Sequence, residues 1–473
     1  MVNLNAVHWK RVLGPVLGLL FFSSVFFANL SFGQAVPFTQ GTLAVARYGD
    51  RTGAVPTAGV TLPAALDEYT TTGTLVRSIS IPVANAGSNF GLTGSAVRSN
   101  NDGVLGISPD RSKLSLAAYN LPTGTANAAS ASTANRVVAV FNAQGSVNTA
   151  AGFSSTTNPL RTSLVTNTGG LYVAFGAETA GITYAPAPAA ATPPVAAVPT
   201  TVLPLVSAKK LQVYDGNLYF TTSSTGATTS GARIRRFTGL PTAAATAVDL
   251  PGIPATGTPA AGAFVMFDVN AAVPGVDLLY YTDDVTAGSP VNKYTFNGTT
   301  WTARGTYTLT GVNDGLIRDM TGQLENGVPT LYAVTYTSLV KLADASAYTA
   351  TISVTRTALV DNLSGGSYAF RGISFSPGTR EVIALGTASA QLAQEITVSP
   401  NPARSEVQFG LPASLQRETI EMSVVNALGQ TVLSQKSAPG AWRTLALPGL
   451  AAGVYTLRLE TSSGMVSKRL ICE

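Results

Sequence analysis

Short runs of apolar residues alternate with polar turns through the middle of the chain, and six stretches share one pattern. Each has an apolar strand, a turn rich in Gly, Asp, Asn or Pro, and a second apolar strand. The six stretches are VLGISPDRSKLSLAAY, LRTSLVTNTGGLYVAFG, KKLQVYDGNLYFTTSS, FVMFDVNAAVPGVDLLYYTDD, IRDMTGQLENGVPTLYAVTY and FRGISFSPGTREVIALG, which begin near residues 104, 160, 209, 264, 317 and 370. The pattern therefore repeats at about fifty residues.

A repeat of this length is typical of propeller blades, each made of four antiparallel strands. More polar runs such as VNKYTFNGTTWTARGTYTL follow most of the six stretches and supply two outer strands. The N-terminal runs GTLAVARYGD and LDEYTTTGTLVRSISIP lack an inner pair, so we expect them to complete the last blade and close the ring. The sequence predicts an all-β fold with a β-propeller-like domain of six or seven blades over residues 34–388. A long β-sandwich or a β-solenoid is the alternative.

The pattern changes after a predicted linker, residues 389–394, and residues 395–473 read as a shorter series of half-buried strands. Two of these strands place alternate residues on one side, namely Ile420, Met422 and Val424 in the first and Tyr455, Leu457 and Leu459 in the second. About eighty residues of this kind predict a small immunoglobulin-like β-sandwich.

Four ordered motifs in this tail resemble the C-terminal sorting domain of the bacterial type IX secretion system. They are Pro400-Asn401-Pro402, the NALGQ run at 426–430 that contains Gly429, Gly453-Val454-Tyr455, and the basic last strand with Lys468 and Arg469. The resemblance implies export, recognition of the tail by the outer-membrane translocon, and then release of the protein or its attachment to surface lipopolysaccharide. Cys472 departs from the family pattern, and we expect it to be an inert thiol.

The N-terminus has the three-part pattern of a secretory signal peptide, predicted over residues 1–33. Lys10 and Arg11 precede an apolar run, and small residues follow it up to Gly33. Cleavage after Ala35 is a second option, and an uncleaved membrane anchor is the alternative interpretation. Because no second apolar run is long enough to span a bilayer, we expect a mature protein without a transmembrane segment, secreted or attached to the outer-membrane surface.

Composition narrows the chemistry that the mature chain can perform. The only histidine, His8, lies in the predicted signal peptide, so we expect no Ser-His-Asp triad and no histidine-ligated metal. A single cysteine excludes an internal disulfide, and charged residues make up only 11% of the chain. The basic cluster RIRR at 233–236 would split between two strand faces, which disfavours nucleic-acid binding. We expect no cofactor, with calcium left open.

Several aspartates could act as acids or calcium ligands, but each lies in a turn-like or strand-end sequence where Asp is common. They are Asp215, Asp268, Asp283, Asp284, Asp314 and Asp319. No spacing pairs them, so we name no catalytic residue. The sequence favours a binding or adhesion module for extracellular glycans or proteins. A carboxylate-dependent carbohydrate-active enzyme and an inert surface-matrix protein are the alternatives.

Three repeats carry a basic residue at one register of the predicted innermost strand, two positions before an apolar residue. These residues are Lys209, Arg318 and Arg371, and Arg161 lies nearby in another repeat. Equivalent positions of inner strands surround the central channel, so the charges would gather at one end and attract an acidic glycan. The alternative is that each cation pairs with a neighbouring acid, as Asp319 next to Arg318 suggests.

Overall fold

Strands dominate every part of the chain that the computed structural model describes, which confirms the all-β prediction. The described residues are 35–52, 59–95, 102–131, 134–154, 160–176, 181–222, 233–254, 260–284, 290–310, 316–361, 368–379, 395–412, 415–416, 420–426, 431–461 and 464–473. A short 3-10 helix, Ala128–Ser130, lies among them. The predicted signal peptide and linker fall outside these residues, as do Asp314 and Gly429.

Twenty-five strands precede the tail within the described ranges. In chain order they are β1 (Leu43–Tyr48), β2 (Thr61–Tyr69), β3 (Leu75–Ser80), β4 (Thr93–Ser95), β5 (Leu105–Ile107), β6 (Lys113–Tyr119), β7 (Arg136–Asn142), β8 (Val147–Phe153), β9 (Leu160–Val165), β10 (Leu171–Phe175), β11 (Ile182–Ala185), β12 (Thr200–Leu203), β13 (Ala208–Tyr214), β14 (Asn217–Thr222), β15 (Ile234–Arg236), β16 (Val248–Asp249), β17 (Ala260–Phe267), β18 (Leu278–Asp284), β19 (Val291–Phe296), β20 (Trp301–Tyr307), β21 (Asp319–Glu325), β22 (Val328–Val334), β23 (Ser338–Asp344), β24 (Val354–Asp361) and β25 (Ala369–Phe375).

Apart from β4, these strands form six antiparallel blades of four, and in blades 1 to 5 the strands follow chain order from the innermost to the outermost. Blades 1 to 5 are β5–β8, β9–β12, β13–β16, β17–β20 and β21–β24. Blade 6 joins both ends of this region, because β25 pairs with β1, β1 with β2, and β2 with β3. The N-terminal strands therefore complete the last blade, as the sequence predicts. Strand β4 links blade 6 to blade 1 by pairing with both β2 and β6.

The innermost strands close a ring in the described part of the chain. Strands β5, β9, β13, β17, β21 and β25 pack against one another in that order, and β25 packs against β5. The first five predicted stretches coincide with the innermost strands of blades 1 to 5 and the strands that follow them. The sixth stretch supplies β25, its second run lies outside the described residues, and β1 takes the second place in that blade. The ring therefore has six blades. A side chain at Gly372 would collide with the backbone of Gly103 and Leu105. Glycine at this position therefore permits the close approach that seals the ring.

Burial falls from the channel outwards, which explains the two kinds of strand in the sequence. All seven residues of β25 are buried, so the strand can be apolar on both faces. The outermost strand β24 has no fully buried residue and carries polar side chains such as Thr355 and Arg356. The turn between β13 and β14 places Asp215 at φ 48° and Gly216 at φ 70°. These angles match the type I′ hairpin turn that the YDGN sequence favours.

Residues of the tail form two facing sheets around a separate apolar core. The strands are β26 (Thr397–Ser399), β27 (Glu406–Gly410), β28 (Ile420–Val425), β29 (Thr431–Ser437), β30 (Trp442–Ala446), β31 (Gly453–Thr461) and β32 (Gly464–Cys472). One sheet has the order β26-β27-β30 and the other β29-β28-β31-β32. Ile420, Met422 and Val424 are fully buried, as are Leu457 and Leu459. The predicted alternation and the small β-sandwich are therefore confirmed.

Asn401 fixes the last strand of this sandwich. Its amide group donates from Nδ2 to the Arg469 carbonyl at 2.8 Å, and its Oδ1 accepts from the Ile471 amide at 2.8 Å. The Ala403 amide donates to the Ile471 carbonyl, and the Glu473 amide donates to the Ala403 carbonyl. The segment after β26 thus holds β32 along the edge opposite β31. Cys472 is buried at this contact, and burial raises the pKa of its thiol.

Candidate functional site

The innermost strands all begin at the same end of the ring, which brings three cations from three blades together. Arg161 lies on β9, Lys209 on β13, and Arg318 immediately before β21. Lys209 and Arg318 line a cavity of about 10 Å³ there, with Lys210 and Asp319 beneath them. We call this end of the channel, with Arg161, Lys209 and Arg318, the channel mouth.

A buried ion pair crosses the channel below the mouth. Lys210 Nζ lies 2.7 Å from Asp319 Oδ1, and neither side chain is more than 3% exposed. Asp319 Oδ2 also accepts from the amides of Leu105 and Ile373, at 3.1 and 3.0 Å, and Lys210 donates to the Leu105 carbonyl. This pair, which we call the channel floor, ties together β5, β13, β21 and β25. Burial raises the pKa of Asp319, and the Lys210 charge opposes that shift.

Like charges surround Lys209 at the channel mouth. Its side chain is 7% exposed, and its pKa falls to about 7, chiefly through burial and then through the charges of Arg161 and Arg318. Burial also lowers the pKa of Arg161. Positive charge at the mouth is therefore held at an electrostatic cost, set by burial and by the neighbouring arginines.

Arg371 lies behind the mouth rather than at it. Arg371 is 1% exposed and donates to the Ser95 carbonyl at 2.5 Å. Its guanidinium carbon lies 5.4 Å from the centroid of the Tyr48 ring. The Tyr336 ring connects it to the mouth, because Arg371 lies 5.3 Å and Arg318 6.0 Å from the ring centroid. The structure thus places Lys209 and Arg318 together with Arg161, and Arg371 in an enclosed position next to them.

The Asp319 carboxylate pairs with Lys210 across the channel. The alternative interpretation of the sequence had paired it with its neighbour Arg318. Lys210 was not predicted to take part in this pairing. The two successive lysines, Lys209 and Lys210, could have predicted its separate role, because alternation along a strand directs two successive side chains to different surroundings. Asp102 was also missed: it is 1% exposed, accepts from the Ser95 amide at 3.1 Å, and has a pKa raised by burial.

The candidate carboxylates are spread over the ring. Asp283 pairs with Arg233 at 2.9 Å, and Asp319 forms the channel floor. Asp215 accepts from the Val276 amide at 3.0 Å, and burial together with Asp215 raises the pKa of Asp268. Within the described ranges, no group of three or more His, Cys, Asp or Glu side chains is placed to hold a metal ion.

A scan of protein families matches residues 397–473 to the secretion system C-terminal sorting domain. The match covers the sandwich with its Asn401 contact, and it confirms the resemblance drawn from the four motifs. The fold and this domain define a class: an exported β-propeller protein with a C-terminal sorting domain. The protein is secreted or attached to the outer-membrane surface, and the type IX secretion system recognises its tail. Among the described residues, none forms a helix long and apolar enough to cross a membrane.

No curated protein sequence matches the chain. Solved structures with similar folds include the WD40 repeats of RRP9, at 9% identity and a TM-score of 0.38, covering 80% of this chain and 92% of that one. A functionally unknown protein from Desulfotomaculum acetoxidans has 10% identity and a TM-score of 0.35, covering 85% and 98%. A glucose dehydrogenase has 13% identity and a TM-score of 0.33, covering 63% and 95%. Similarity at this level says nothing about activity, and the six-bladed ring is defined by its own strand pairing.

Proposed function

We propose that the protein is a binding module that holds an acidic extracellular polymer, such as a uronic-acid polysaccharide, at the channel mouth. One observation carries the proposal: Arg161, Lys209 and Arg318 come from three separate blades and lie close enough for the two arginines to lower the pKa of Lys209. Lipopolysaccharide carries acidic sugars and phosphates of the same chemistry, so it belongs among the ligands to be tested.

The surroundings of the mouth favour a ligand that binds at the end of the channel over one that passes through the ring. The Lys210–Asp319 floor closes the channel directly below, so a bound chain would lie across the mouth. Arginine binds carboxylates with two parallel hydrogen bonds, and a partly buried site strengthens such contacts relative to water. A carboxylate at the mouth would also favour the charged form of Lys209 and raise its pKa.

The test is a comparison of two double variants with equal loss of charge. We expect Lys209→Gln with Arg318→Gln to weaken binding of polygalacturonate at least tenfold at low salt, measured by calorimetry on the exported protein. The matched control is Lys341→Gln with Arg304→Gln, which removes one lysine and one arginine from the outer strands β23 and β20. The control should bind within about twofold of the unchanged protein. Equal losses in both variants, or no binding of any acidic polymer by the unchanged protein, would refute the proposal.

Binding at the mouth should also depend on pH in a defined way. Because the Lys209 pKa is about 7 without ligand, raising the pH from 6 to 8 removes a charge that the anion needs. Affinity should fall by up to about tenfold over this range. In Lys209→Arg the side chain stays charged, so the pH dependence should largely disappear. A pH response that persists in Lys209→Arg would place the titrating group elsewhere.

A further inference from the structure

A second concave surface lies at the other end of the ring, between blades 3 and 4. It has a volume of about 330 Å³, within the size range of small-ligand sites. The turn at Asp215, at the end of β13, forms one wall, and the connection from β17 to β18 around Pro274 forms another. Strand β13 runs away from Lys209 at about 3.3 Å per residue, so this groove is roughly 20 Å from the channel mouth.

Aromatic and aliphatic groups form the base and sides of this inter-blade groove. Phe296 and Trp301 stack on each other with ring centroids 5.1 Å apart. Pro251 and Pro274 lie at the exposed rim, and Val248 on the outermost strand of blade 3 is 48% exposed. Flat apolar surfaces of this kind pack well against the C–H faces of sugar rings, as they do against other partly apolar ligands.

Polar groups along the same groove remain available for a ligand. In the described part of the chain, the Arg236 guanidinium and the Tyr219 hydroxyl have no hydrogen-bond or ion-pair partner, although both line the groove. Tyr219 and Arg236 are direct cross-strand partners on β14 and β15, and Asp215, in the turn before β14, lines the same groove. Asp215 accepts from Val276 through Oδ2 only, which leaves Oδ1 at the exposed rim.

The charges of the groove nearly cancel. Arg236 and Asp215 line the groove with opposite charges, and the other lining carboxylate, Asp249, is paired with Arg235 at 2.7 Å. A strongly charged ligand would therefore lie next to at least one group of like charge. Hydroxyl groups suit the set better, because each can donate to Asp215 and accept from Arg236 or Tyr219.

From this combination we infer that the inter-blade groove binds a neutral sugar residue of a glycan chain. The ring faces would pack on Phe296 and the prolines, while the hydroxyls exchange hydrogen bonds with Asp215, Tyr219 and Arg236. The site is independent of the channel mouth in position and in charge. The protein would then hold two kinds of polysaccharide, an acidic one at the mouth and a neutral one at the opposite end.

Neutral oligosaccharides test the groove directly. Cellohexaose, laminarihexaose and mannohexaose are titrated into the exported protein and followed by saturation-transfer NMR and calorimetry. Val248→Trp should fill the groove and weaken binding at least tenfold. The matched control is Val76→Trp, since Val76 is 45% exposed on β3, the outermost strand of blade 6. Tyr219→Phe removes only one hydroxyl and should weaken binding severalfold with an unchanged Tm.

The outcomes separate this inference from the proposal for the mouth. Lys209→Gln with Arg318→Gln should leave neutral-sugar binding intact, and Val248→Trp should leave polygalacturonate binding intact. The groove is overturned as a sugar site if none of the three hexaoses binds. It is equally overturned if Val248→Trp and Val76→Trp have the same effect on a hexaose that does bind.

Discussion

Lys209 carries a charge that the folded protein opposes, which couples stability to pH. Its pKa is about 7 in the folded chain against 10.5 for an unperturbed lysine, with burial as the main cause. Between these two values the unfolded chain binds more protons than the folded one, so stability increases as the pH rises from 7 to 10.5. Below pH 7 the folded chain bears the full free-energy cost of burying the charged Lys209 side chain, and above pH 10.5 this cost vanishes.

Replacing Lys209 with methionine should therefore stabilise the ring. Methionine has a similar length and loses nothing on burial, so we expect a gain of a few kcal/mol at pH 6, from about 1.4 kcal/mol per pKa unit. The gain should shrink steadily between pH 7 and pH 10. Thermal unfolding of the exported protein across this range measures it. A variant that is less stable at pH 6, or a gain that does not change with pH, would contradict the assignment.

At Asn401 a single side chain secures the end of the sorting domain. Asn401→Ala removes two hydrogen bonds to β32, so we expect a loss of about 1–2 kcal/mol within the sandwich. Amide hydrogen exchange at Ile471, which donates to Asn401 Oδ1, should accelerate accordingly. Gln435→Ala on the exposed strand β29 serves as the control and should leave exchange at Ile471 unchanged. Equal exchange rates in both variants would show that the backbone pairing alone holds the strand.

At the scale of elements, alternation and turn chemistry were enough to predict the innermost strands. The YDGN turn at Asp215 and the buried faces of β28 and β31 follow from local rules that act over a few residues. Contacts across the channel are different, because Lys210 and Asp319 are far apart in sequence and meet only when the ring has closed. The enclosed position of Arg371 depends on Ser95 and Tyr48, which belong to other strands of the ring. The hydrophobic pattern within one repeat does not predict these contacts between different blades.

For the whole molecule, the channel floor connects the innermost strands of four blades. Asp319→Leu leaves the Lys210 ammonium buried without its counter-charge, so we expect a loss of about 3–5 kcal/mol. Adding Lys210→Met in the same chain should recover most of that loss, because a buried apolar pair replaces an ion pair at little cost. Chemical unfolding of the two variants measures the difference. If the double variant is no more stable than Asp319→Leu, the hydrogen bonds of Asp319 to Leu105 and Ile373 carry the effect instead.

The pairing of β25 with β1 also determines when the ring can close during folding. Strand β1 can pair with β2 as soon as both are present, whereas its other edge has no partner until β25 has been added. Until then an open strand edge is exposed, and such an edge recruits other chains. Closure over so long a segment is slow, since the chain must lose loop entropy before the final contacts form. The free edge of β1 is therefore the part of the unclosed ring at which we expect pairing with another chain to compete with folding.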